Sequence, residues 1–120
     1  MKISIKFWKD IQSMVDVQYE GRYPTQEQIS SDYVTVHEFN IPDSIGHLNE
    51  DGFLINSGNE EIVPDDFFSK FNNGTNPLAT PEGQRFIKEN GVRHTSMSIG
   101  DIIEVEGLPY ICDCEGWTRI

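Results

Sequence analysis

The sequence predicts an α+β fold: a mainly antiparallel sheet of four to six strands, two short helices covering one face, and a C-terminal β-hairpin. Three observations carry that prediction. Lys2–Phe7 alternates apolar Ile3, Ile5 and Phe7 with Lys2, Ser4 and Lys6, the period of a strand with one buried face. Near the other end, Ile102–Val105 and Tyr110–Cys114 flank Glu106-Gly107-Leu108-Pro109 as the arms of a hairpin flank their turn. Between them lie two segments with helix-start chemistry, near Asp65–Phe71 and Pro81–Glu89. At 120 residues, 37% of them hydrophobic, the chain is expected to form a single domain over 1–120 with a real core.

After the first strand the text is ambiguous. Trp8, Ile11 and Val15 have helical spacing, whereas Val15, Val17 and Tyr19 alternate as a strand would. The β-branched residues favour a hairpin-like return here. Residues 20–31, with Gly21 and Pro24, read as a connection, and Tyr33–Phe39 reads as a second strand from its valines, threonine and aromatics. Polar text punctuated by Gly46, Gly52 and Gly58 surrounds Phe53-Leu54-Ile55, a short strand. Aligning Gly52 with the obligatory glycine of an EF-hand puts His47 and Gly58 at ligand positions, which excludes a calcium loop of that kind.

Asp65 and Asp66 after Pro64 suit the start of a helix, because carboxylates there accept free backbone N–H groups and favour the dipole. Phe67 and Phe71, four apart, then share a face, and Asn72-Asn73-Gly74 stops the helix. Thr80 caps the next helix, Pro81 takes its first position, and Asn90-Gly91 ends it. Gly116-Trp117 breaks the last strand. The expected core is Ile3, Ile5, Val34, Val36, Phe67, Phe71, Phe86, Ile102 and Ile111.

The net charge is −11, and its placement says more than its size. Residues 23–69 contain no Lys or Arg but ten carboxylates, including Glu27, Glu38, Glu50, Asp51, Glu60 and Glu61. The remainder is nearly balanced. Phosphate backbones are bound by neutralising them with Lys and Arg, so direct nucleic-acid binding is not expected, and a basic partner fits better.

Cys112 and Cys114 lie two apart, where a strand puts both on one face and a bridge between them would be strained. They read as reduced thiols, consistent with a cytoplasmic location. Zinc needs two further ligands beyond this pair, and His37, His47 and His94 are the only histidines, so no metal or other cofactor is expected. No apolar run approaches the ~18 residues that span a bilayer, and no basic-then-apolar leader opens the chain, so a soluble, unprocessed protein is expected.

Three stretches form a further pattern: Phe67-Phe68-Ser69-Lys70-Phe71-Asn72, then His94-Thr95-Ser96-Met97-Ser98-Ile99-Gly100-Asp101-Ile102-Ile103, then Tyr110-Ile111-Cys112-Asp113-Cys114-Glu115-Gly116-Trp117. In this order they resemble the successive motifs of YodL-like domains, small α+β modules of phages and conjugative elements. The resemblance covers residues from about 65 to 120. Gly100 stands where that family commonly has serine before the aspartate, and Trp117 where it commonly has phenylalanine. The family has no common activity, so the resemblance implies a mobile-element context and no mechanism.

Two functional expectations follow. In the first, the protein is a phage or mobile-element accessory protein acting by binding, not catalysis, in the host cytoplasm. Its acidic surface engages a basic host protein, as a DNA mimic does by presenting carboxylates in place of phosphates. Glu50, Asp51, Glu60 and Glu61 are its contacts, with Tyr110 and Trp117 on the hairpin the alternative contacts. In the second, a small-molecule or enzymatic site forms around His94, Ser96, Ser98, Asp101 and Cys112. Polar residues packed into one turn more often bond each other and the backbone than build a catalytic triad, so a turn network is the expectation for them.

Overall fold

The computed structural model describes residues 2–40, 42, 46–50, 54–55, 58, 77–92, 94, 97–114 and 116–120. Strands β1 (Lys2–Trp8), β2 (Tyr33–Asn40), β5 (Ile102–Val105), β6 (Leu108–Asp113) and β7 (Gly116–Arg119) form one sheet in the order β2-β1-β5-β6-β7, every pair antiparallel. β3 (His47–Leu48) and β4 (Leu54–Ile55) pair as a separate ribbon. The described helices are α1 (Ile11–Glu20), α2 (Gln26–Asp32) and α3 (Pro81–Glu89), with a 3-10 turn at Pro77–Ala79. This is the α+β architecture and antiparallel sheet that the strand patterns predict. The expected Asp65–Phe71 helix, with Phe67 and Phe71, lies outside the described residues.

Residues 11–20 are helix, not a returning strand. The ends decide it. Asp10 accepts the Gln12 N–H at 2.9 Å as N-cap. At the other end Gly21, at φ +63°, turns left-handed, and the N–H groups of Gly21 and Arg22 both bond the Asp16 carbonyl. Part of the segment expected to be a plain connection is α2, built on a capping box. Thr25 accepts the Gln28 N–H, and the Gln28 amide oxygen accepts the Thr25 N–H.

β5 and β6 are joined by two residues, Glu106 at φ +51° and Gly107 at φ +81°, so Leu108 and Pro109 belong to the strand and not to the loop. Two left-handed residues in succession make the primed turn whose twist suits a hairpin. Glu106 is tied back to the start of β1: its carboxylate accepts the Lys2 N–H at 2.8 Å, and its N–H donates to the Lys2 carbonyl. The chain then continues past Gly116 as β7, where sequence punctuation suggested a break.

Alternation along the strands divides the core between two faces of the sheet. Ile3, Ile5 and Phe7 of β1, Ile103 and Val105 of β5 and Tyr110 of β6 pack with Leu78, Ile87, Val92 and Met97 around α3. Trp8, Tyr33, Ile102 and Ile111 pack on the opposite face with Val17 of α1 and Ile29 of α2. Helices therefore cover both faces, not one. Of the expected core, Ile3, Ile5, Val36, Ile102 and Ile111 are buried, while Val34 and Phe86 are half-buried against the first cluster.

Candidate functional site

The polar residues before β5 converge on one carboxylate. Asp101 is wholly buried and accepts from two distant parts of the chain. Its Oδ1 accepts the N–H of Trp8, the last residue of β1, at 3.1 Å, and its Oδ2 accepts the Ser98 N–H at 2.7 Å. His94 Nε2 lies 3.0 and 2.9 Å from the two oxygens. The imidazole is held flat by stacking on Phe7 and Trp8, with ring centroids 4.6 and 4.1 Å away. The Trp8 indole N–H donates to the Ile99 carbonyl and the Ser98 hydroxyl. Tyr33 donates its hydroxyl to the Gly100 carbonyl at 2.6 Å. Gly100 N–H and Cys112 carbonyl, then Cys112 N–H and Asp101 carbonyl, lock the turn to β6.

The electrostatics match a structural knot. Burial pushes the Asp101 carboxyl above its ordinary value, against the pull of His94 and the Ser98 and Trp8 N–H groups, which favour the ionised form. Burial first, and the neighbouring carboxylates of Asp101, Asp32 and Asp16 second, push the Tyr33 phenol up, so it is a neutral donor. Nor does the order of contacts suit nucleophilic catalysis. A triad needs the hydroxyl and the carboxylate on opposite nitrogens of the imidazole. Here Ser98 Oγ lies 3.3 Å from Asp101 itself and receives the Trp8 indole N–H, and His94 Nδ1 has no partner among the described residues.

The structure thus brings together His94, Ser98 and Asp101, and joins Cys112 to them through its backbone. Ser96 lies outside the described residues. Trp8, Tyr33 and Phe7 are site members that sequence reasoning missed. They come from β1 and β2, more than sixty residues away, and no spacing rule links them to Asp101.

The other expected residues are scattered. Tyr110 is buried in the first core, a packing position and not a contact surface, and Trp117 is half-buried against the same cluster. Glu50 is exposed after β3, whereas Asp51, Glu60 and Glu61 lie outside the described residues. Glu27 and Glu38 are exposed as well. Cys112 and Cys114 are unbridged, and the Cys114 thiol lies 3.8 Å from the Gln18 carbonyl of α1. Among the described residues no group of three metal-ligating side chains converges, and no helix is long and apolar enough to cross a membrane.

A polar cleft of about 480 Å³ opens between α1 and α2. Asp10, Asp16 and Asp32 line it together with Gln12, Tyr23 and Gln28. Its one cation, Arg22, is paired with Asp16 at 3.1 Å. Carboxylates outside the base-free segment, Asp10 and Asp16, thus join Asp32 in this cleft.

Fold and site together define a small α+β module whose buried polar network ties the turn before β5 to β1 and β2. The chain is similar to an uncharacterized protein of Acanthamoeba polyphaga mimivirus, 43% identical over 53 residues, which are 44% of this chain and 48% of the relative. It thus spans about half the length of that viral relative. No family model matches the chain, and no solved structure does.

Proposed function

We propose that this protein is a viral or mobile-element binding module that engages a basic host protein through its acidic surface in the host cytoplasm. Its order of motifs makes a YodL-like module the nearest description of its type. The observation that carries the reading is the charge distribution: ten carboxylates and no Lys or Arg over residues 23–69, with Glu27, Glu38 and Glu50 exposed. The acidic α1–α2 cleft supports it, and so does similarity to a viral protein. Carboxylates set out in this way can occupy a surface built for phosphates, which is how a DNA mimic would inhibit a host defence protein. The alternative, a ligand or enzymatic site at His94, Ser98 and Asp101, is disfavoured because its polar atoms are largely spent on one another.

The test replaces Glu50, Asp51, Glu60 and Glu61 with lysine, taking the net charge from −11 to about −3. Host-lysate pull-downs with wild type and variant are compared at low and moderate salt. The expected outcome is partners retained by wild type, lost on the variant, and weakened by salt, with an unchanged melting temperature. Partners kept by the variant at both salt concentrations would reduce the acidity to a solubility device.

A further inference from the structure

In the cleft between α1 and α2, two polar helix faces stand opposite each other without bonding. Gln12, Ser13 and Asp16 form the α1 wall, and Thr25, Gln28 and Asp32 the α2 wall, each set spaced by three and four so that it shares a face. The polar bonds of these residues stay within their own side. The Gln12 amide donates to Asp16 at 2.9 Å, the Gln28 amide oxygen accepts the Thr25 N–H at 2.9 Å, and the Ser31 hydroxyl donates to Asp32 at 3.1 Å. Among the described residues no hydrogen bond or ion pair crosses from one wall to the other. Val17 and Ile29 turn to the sheet, so no apolar contact between them closes the gap.

The unspent hydrogen-bonding capacity points to the ligand. The Ser13 hydroxyl, the Gln28 amide nitrogen and one oxygen each of Asp10 and Asp32 have no partner among the described residues, so donors and acceptors lie side by side. The cleft is acidic in sum, yet charge does not choose its occupant. Arg22 neutralises Asp16, Asp10 accepts the Gln12 N–H, and exposed Lys9 adjoins Asp10. A hydroxyl donates and accepts at once and matches such a mixed lining, whereas an anion meets the carboxylates. Tyr23 lines the same cleft and is 44% exposed. Its hydroxyl is pinned to Asp113 at 3.0 Å, and Asp113 also accepts the Thr118 hydroxyl at 2.6 Å, so the ring is a fixed apolar plate. We propose that the α1–α2 cleft binds a neutral, hydroxyl-rich small molecule, a mono- or disaccharide, whose hydroxyls bridge the two walls and whose C–H face lies on Tyr23. A volume of about 480 Å³ suits such a ligand, since small-molecule sites run from about 300 to 1,000 Å³. The caps and Asp113 already hold Asp10, Gln28 and Tyr23, which lowers the cost of ordering them on binding. Glu27, Glu38 and Glu50, which carry the acidic-surface reading, do not line the cleft, so the two proposals stand or fall separately.

Amide NMR of the full chain tests it by titration with glucose, galactose, N-acetylglucosamine and maltose, each to about 100 mM, with phosphate and spermidine as charged controls. The expected result is that at least one sugar gives saturating shifts confined to residues 10–16, 22–28 and 32, with a dissociation constant of about 1–20 mM. Neither phosphate nor spermidine reproduces them. Tyr23→Leu and Asp32→Ala each weaken that sugar at least about fivefold while amide shifts outside the cleft stay as in wild type. Ser13→Ala, inside α1 and away from its caps, keeps the helix and weakens binding about threefold, which preserves the test if either other variant unfolds. No saturating shift with any of the four sugars overturns the proposal, as do shifts spread beyond the cleft or folded variants that bind as tightly as wild type. Spermidine bound at the same residues more tightly than every sugar also overturns it and makes the cleft a cation site.

Discussion

Replacing Asp101 with asparagine keeps the shape of the side chain but turns one of its two acceptors into a donor, facing either Trp8 N–H or Ser98 N–H. One buried N–H is left unpaired, which costs about 1–3 kcal/mol, read as a lower urea midpoint. The same variant exposes a pH dependence. Burial raises the Asp101 carboxyl, so the native state holds that proton more tightly than the unfolded chain. Its stabilising contribution is therefore full below the unfolded value of about 3.9 and is lost as pH rises through the folded value. The wild-type stability minus that of Asp101→Asn should decline from about pH 4 upward. A difference that grows with pH would show that the fold prefers the ionised carboxylate. Gly100, beside it, has φ +94°, and an added Cβ would lie 3.1 Å from the Met14 Cα and 3.2 Å from the Trp8 ring. Gly100→Ala should therefore cost about 1–3 kcal/mol through left-handed strain and displacement of α1. A thermal midpoint equal to wild type would show that the turn relaxes freely. The close approach of the α1 backbone to this turn is what requires glycine here.

At the scale of elements, α1 depends on its ends more than on intrinsic propensity. Val15 and Val17 are β-branched, the first turn has no acidic residue and the last has no basic one. Asp10→Ala should cost about 1 kcal/mol, seen as faster amide exchange across residues 11–16. Unchanged exchange there would place the stability of α1 in its packing against Trp8 and Gly100. The competing strand reading of this segment arose because 15, 17 and 19 alternate in type. Periodicity over three residues cannot separate helix from strand, whereas Asp10 at the start and Gly21 at the end can. α2 was legible in the same way: Thr25 and Gln28 have the capping-box spacing, but seven residues with Gly21 and Pro24 just before them look like loop.

Over the whole molecule, acidic self-repulsion opposes folding at low ionic strength. Raising salt from about 20 to 300 mM should increase the melting temperature, because screening weakens that repulsion. The described ion pairs, Lys2 with Glu38, Lys6 with Glu104 and Arg22 with Asp16, work in the opposite direction. A melting temperature that falls with salt would show that these attractive pairs outweigh the repulsion.

The sequence by itself determined the fold class, β1, β2, the terminal hairpin, α3 and the acidity of residues 23–69. Each is written in neighbours: alternation, caps, turn residues and charge are properties of a few consecutive side chains. It also brought out His94, Ser98 and Asp101 as a local polar turn. Only the tertiary structure decided what that turn is attached to. Trp8, whose N–H bonds Asp101 across 93 residues of sequence, and Tyr33, 67 residues from Gly100, reach it because β1 lies between β2 and β5. Tyr110 moved from expected surface to core for the same reason: hairpin spacing places it on a face, and only packing of α3 and the 3-10 turn against the sheet shows that this face is covered. Which side of α1 stays bare was settled in the same way, since burying Val17 and Met14 against the sheet leaves Ile11 and Tyr19 outside.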